Sequence, residues 1–136
     1  ESEMLKKFLR QNLMQYANTL TRVRYNPSGK DKITHNYGTS DQYALTGKIV
    51  GQDGRISDIS DKRFLESLLG TKDASGINCV SHWINETDGS IWRLNSKPKK
   101  IVEKVIGFGA HSAGLDIGYN GDLLTTHPAF RVLRVG

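Results

Sequence analysis

Cysteine is nearly missing from this chain. Cys79 is the only one in 136 residues, so an internal disulfide is excluded, and with it a small fold held by covalent staples. No apolar run approaches the roughly 20 residues that a helical membrane span needs. Aromatics are few, at 8 %, and they do not interleave with the basic segments as a base-stacking surface would require. Proline occurs three times. There is no low-complexity tract, and no repeat beyond an echo of Asp/Asn-Gly turns flanked by apolar residues. Apolar residues are spread along the whole sequence, which argues against disorder. The length fits one domain around one core. The chain starts at Glu1 rather than methionine, as a processed or trimmed product would.

What the chain does have is a charge pattern. The formal net charge is +5, unevenly placed. Residues 1–32 carry seven Lys/Arg against three acids, residues 41–90 five against eight, and residues 93–104 five against Glu103 alone. Two basic ends flank an acidic middle. Such a surface suits anionic partners, among them a cell-wall polymer, anionic lipid or nucleic acid, the last being the least expected here.

The local patterns predict an α+β protein, or a mixed α/β sheet. Its plan is an N-terminal amphipathic helix packed on a sheet of short strands and hairpins, with one further short helix. Over residues 3–20, Leu5, Leu9, Leu13, Tyr16 and Leu20 recur at helical spacing, with Lys6, Lys7 and Arg10 opposite. The helix should end before Asn26-Pro27, giving a helical stretch over 1–25 and a sheet-containing body over 31–136 in one domain. Residues 31–36 read as a strand carrying His35, and 43–45 and 48–50 as possible strands. Residues 61–69 read as a short helix capped by Ser60 and ended by Gly70. Residues 80–94 read as a hairpin turning at Asp88-Gly89, with His82 on its first strand. Ile101, Val102, Val105 and Ile106 suggest a helical turn or a strand. A second hairpin is expected at Asn120-Gly121, and a final strand over 130–135.

Three constellations bear on chemistry. His35, His82, His111 and His127, with Cys79, supply the donor types that zinc prefers, although no pair has a recognised metal spacing. Cys79 is a candidate nucleophile with His82 or His111 as its base, set against a plain buried cysteine. Asp116, Asn120 and Asp122 form a possible cation loop that an Asn-Gly turn explains as well.

The succession Val80-Ser81-His82-Trp83-Ile84, Asp88-Gly89-Ser90-Ile91, then Gly109-Ala110-His111-Ser112-Ala113-Gly114 resembles the zinc-dependent N-acetylmuramoyl-L-alanine amidases, a family that includes peptidoglycan recognition proteins. The resemblance covers residues 31–122. It implies His35 as the first metal ligand, His127 as the late histidine ligand, and Cys79 or Asp122 as a third. It also implies His111 or His82 at the reacting centre. A zinc-bound water would then cleave the lactyl–L-alanine amide of peptidoglycan. A degenerate relative would bind the wall without cleaving it. The implied setting is extracellular, periplasmic or phage-associated. Two other classes fit the same residues: a non-enzymatic extracellular assembly subunit of pilin or fibre type, and a Cys-His hydrolase built on Cys79.

Overall fold

A computed structural model describes residues 2–14, 17–111, 114–121 and 129–130. The architecture is α+β. Among the described residues, three helices, α1 (Ser2–Met14), α2 (Lys62–Leu69) and α3 (Ala74–Asn85), lie with one mixed sheet of eight strands. The strands are β1 (Ala17–Tyr25), β2 (Lys32–His35), β3 (Tyr43–Thr46), β4 (Gly54–Arg55), β5 (Gly89–Trp92), β6 (Val102–His111), β7 (Gly114–Gly121) and β8 (Ala129–Phe130). Seven run in the order β3-β2-β1-β6-β7-β5-β4, and β8 pairs with β1. Neighbours are antiparallel except β5 with β7 and β1 with β8.

β1 is the hub of the sheet. Thr21, Val23 and Tyr25 alternate inward and are buried, while Arg24 points out, the period of two that a half-buried strand requires. Its pairing with β6 shifts register between Asn18 and Arg22. The Thr19 hydroxyl fills the gap: it donates to the Ile106 carbonyl at 2.8 Å and accepts from the Thr21 N–H at 3.0 Å. Backbone groups that the irregular ladder leaves over are thus satisfied by one buried side chain.

The helices cover one face of the sheet. Phe64, Leu65 and Leu68 of α2 join Val23, Ile33, Ile91, Ile106 and Ile117 from five strands in the main core. Ile56 and Ile59, around a 3-10 turn at Ile56–Asp58, complete it. A second cluster joins Leu13 of α1, Ile84 of α3 and Ala110 of β6. The connection after β1 is drawn in by Asp31, whose carboxylate accepts the Asn26 N–H at 3.1 Å and the Ile49 N–H at 3.3 Å. Arg93 works the same way from the other side. Its guanidinium donates to the carbonyls of Lys48, Ile49 and Val50 and lies 3.7 Å from the centre of the Phe64 ring.

Three expectations are corrected. The first helix stops at Met14, and residues 17–25 are strand. The apolar spacing continues past the helix, but β-branched Thr19, Thr21 and Val23 fit a pleated surface better. Residues 80–94 are not a hairpin. Their first half lies in α3, so His82 is on a helix, and only Gly89–Trp92 is strand. The Asp73 carboxylate caps α3 by accepting the Gly76 N–H at 3.0 Å, and Ile77 and Ile84 are seven residues apart, two helical turns, on the packed face. β5 pairs with β4 and β7 rather than with its own upstream segment. α2 is capped by Asp61, which accepts from the Phe64 N–H, not by Ser60. It ends as expected at Gly70, whose φ of 79° is left-handed. Asn120 and Gly121 close β7, and the strands meeting in the last antiparallel pair are β6 and β7, with His111 opposite Gly114. The far side of the hairpin expected at Asn120-Gly121 and most of the strand expected over 130–135 lie outside the described residues.

Candidate functional site

His35 and His82 do not share one place. His35 closes β2 on the helix-facing side and is 1 % exposed. Its Nε2 is 2.6 Å from the Ser67 carbonyl of α2, and its Nδ1 is 2.8 Å from the Thr21 hydroxyl of β1. A carbonyl only accepts, so Nε2 carries the proton; in the neutral ring that burial favours, Nδ1 accepts from the Thr21 hydroxyl. The Tyr43 ring lies 5.1 Å away, centre to centre. Burial pushes the His35 pKa below its ordinary 6.5, and the bond to Ser67 offsets part of that. Both ring nitrogens are therefore already engaged, and the residue ties three elements together.

His82 lies on α3, over the other half of the sheet, with β1, β6 and β7 between β2 and β5. It is exposed, and its Nε2 meets Asp88 Oδ1 at 2.6 Å. Cys79 is also exposed, one turn earlier on α3, rather than a buried apolar filler. His82 and Asp88 thus form a polar pair at the surface, with Cys79 three positions before His82 on the same helix. His111 ends β6. Asp116 and Asn120 lie on β7, Asp116 opposite Gly109 and Ser90. His127 and Asp122 lie outside the described residues. Among the described residues, no three His, Cys, Asp or Glu side chains converge in a way that would hold a metal ion.

A different feature was not legible in the sequence. On α1, Leu9 and Leu13 turn toward the sheet and α3, but Met4, Leu5 and Phe8 remain exposed. At 100° per residue, Met4, Phe8, Leu5, Leu9 and Leu13 fall within one half of the helix, with Asn12 and Ser2 among them. Among the described residues, the side of that half that packs in the core is the one with Leu9 and Leu13. Beside it, an apolar cavity of about 300 Å³ opens between α1 and α3, lined by Leu9, Leu13, Ile77, Val80, Ile84 and Phe108 among others. Val80 and Trp83 of α3 are exposed at 53 % and 36 %. The charges around this surface are unevenly placed: Lys6, Lys7 and Arg10 with Glu3 on α1, and Asp73, Glu86 and Asp88 with Lys72 around the two ends of α3.

No family model matches the chain, and no curated protein or solved structure matches it.

Proposed function

We propose that the chain is a non-enzymatic assembly subunit of pilin or fibre type, whose copies join head to tail through α1 of one and the α3 face of the next. The observation that carries this reading is the exposed apolar arc of α1, which turns away from the sheet its own chain provides. Exposed apolar surface of this kind is the usual mark of a protein–protein contact. The occupant is argued from charge. α1 is net basic, with Lys6, Lys7 and Arg10 against Glu3, whereas Asp73, Glu86 and Asp88 outnumber Lys72 around the ends of α3, the helix that carries Val80 and Trp83. Two α1 faces would repel each other, while α1 against the α3 face pairs unlike charges over apolar surface. A contact between two different patches on identical chains is heterologous, and it extends into an open array unless its rotation closes. The reading needs no histidine or cysteine chemistry.

Sedimentation velocity over a wide concentration range tests it. Wild type should form species that grow with concentration and shrink with added salt. Leu5→Asp and Val80→Asp each spoil one patch, and each protein should be monomeric alone. Mixed, they should recover one intact pair of patches and give a dimer. A wild type that is monomeric at every concentration, or a mixture that stays monomeric, would overturn the reading. Both residues are exposed, so the variants should retain the wild-type fold by circular dichroism.

A further inference from the structure

A second cavity lies away from the apolar surface, at the β3 side of the sheet. Its volume is about 610 Å³, within the range of small-molecule sites. Its walls come from the connection after β1, the segment 46–50, the start of α2 and the loop that follows β5. Tyr25, Val50 and Phe64 contribute apolar lining. Four cationic side chains converge there from four separate segments: Lys30, Lys48, Arg63 and Lys97. All four are exposed, and among the described residues none forms an ion pair.

Two carboxylates share the lining, Asp31 and Asp61. Both are already committed to backbone N–H groups. Asp31 holds Asn26 and Ile49, and Asp61 caps α2 at Phe64. The cavity therefore presents four cations against two carboxylates whose hydrogen-bonding capacity is partly spent inward, a formal excess of two positive charges. Cations gathered in a concave site reinforce one another's field and disfavour the empty state.

The cavity is also held open by bonds that do not involve the four cations' charged groups. Asp31 fixes one wall to Ile49. Arg93, which does not line the cavity, grips the carbonyls of residues 48–50 from behind and stacks on Phe64. Gly47 donates to the Asp31 carbonyl, and a Cβ there would meet Ile33 Cδ1 at 3.2 Å. A site prepared in this way loses little freedom when a ligand enters. The ring of Phe64 is 1 % exposed and that of Tyr25 8 %, so neither offers an open face on which a nucleobase would stack.

We infer that this cavity binds a small organic phosphate carrying at least two anionic groups, with Lys30, Lys48, Arg63 and Lys97 as its cationic ligands. Inorganic pyrophosphate is the probe. Titration calorimetry on the full chain at low salt should give one site, with affinity that falls as salt rises. Lys30→Gln combined with Lys48→Gln should weaken binding about tenfold or more, the loss of charge-assisted hydrogen bonds. Lys6→Gln combined with Lys7→Gln, on α1, removes the same charge elsewhere and should leave the affinity unchanged. No heat with pyrophosphate at low salt would overturn the inference. So would equal weakening by the two double variants, which would mean attraction to net charge rather than a site. Binding of a 20-nucleotide single strand without binding of pyrophosphate would overturn it in favour of a nucleic-acid surface. None of these outcomes depends on self-assembly.

Discussion

Replacing His35 by alanine should be among the most damaging single changes in the described core. The side chain is buried, and its removal strands the Ser67 carbonyl and the Thr21 hydroxyl, both of which it satisfies. A buried polar group left unpaired costs about 1–3 kcal/mol, and the space vacated by the ring adds a cavity cost. The expected loss is about 3–5 kcal/mol, a large share of the ~5–15 kcal/mol that holds a domain of this size. Urea unfolding followed by circular dichroism reads it directly. The pH dependence gives a second reading with a definite sign. Folding lowers the His35 pKa below 6.5, so the unfolded chain takes up the proton first. The stability His35 contributes through this shift is complete above pH 6.5 and is lost as pH falls from there through the folded pKa, at up to about 1.4 kcal/mol per pH unit. His35→Ala should lack that component, and the other histidines cancel in the difference. A variant within about 1 kcal/mol of wild type, or an identical pH slope in both, would refute the account of His35 as a neutral tie between β1, β2 and α2. The same pair of proteins tests the zinc ligation that the resemblance to amidases implies for His35. Elemental analysis giving one zinc per wild-type chain and none in His35→Ala would assign the ring to a metal.

Three further changes probe the framework. Arg93→Lys keeps the charge but not the planar fork that reaches three carbonyls. It should cost about 2–3 kcal/mol in urea unfolding, drawn from lost charge-assisted bonds and the contact with Phe64, and a silent substitution would mean the clamp is ornamental. Thr19→Val preserves shape and removes the hydroxyl between Ile106 and Thr21; a loss of about 1–3 kcal/mol is expected, and Thr19→Ser should restore most of it. Glu86 ends α3 with a φ of 58°, which costs a non-glycine residue about 1 kcal/mol or more. Glu86→Gly should therefore raise the midpoint of thermal unfolding, and a fall would show that the carboxylate contributes something the backbone argument omits.

The parts of the fold that could be read from sequence are those whose reasons are local. α2 announces itself by a cap, an apolar stripe and a terminal glycine within ten residues of sequence. β2 with His35 is equally plain. α3 was hidden because Val80, Trp83 and Ile84 favour strands and Asp88-Gly89 imitates a hairpin turn; what decides for helix is packing of Ile84 against Leu13 and Ala110, neither of which is near in sequence. With α3 in place, the resemblance to amidases loses the strand on which it set His82. β1 was hidden for the opposite reason, because the heptad-like spacing of α1 runs on beyond Met14. At the level of sites, nothing near His35 in sequence reveals that its partners are Thr21 and Ser67. Lys30, Lys48, Arg63 and Lys97 are ordinary surface cations until the fold brings three loops and the start of α2 together.

The pairing of β1 carries a consequence for how the molecule comes to be made. Its later half meets β2 almost at once, across a short connection. Its whole length waits for β6, and its first residues wait for β8, where Asn18 pairs with Ala129. The central strand is therefore among the first to be synthesised and the last to be completed. Until β6 arrives, one side of β1 presents unpaired N–H and C=O groups to whatever strand is nearest, including a strand of another copy. Folding should accordingly be slow for a chain of this size, on the order of milliseconds to seconds. The interval before β6 docks is when the nascent protein is most exposed to mispairing.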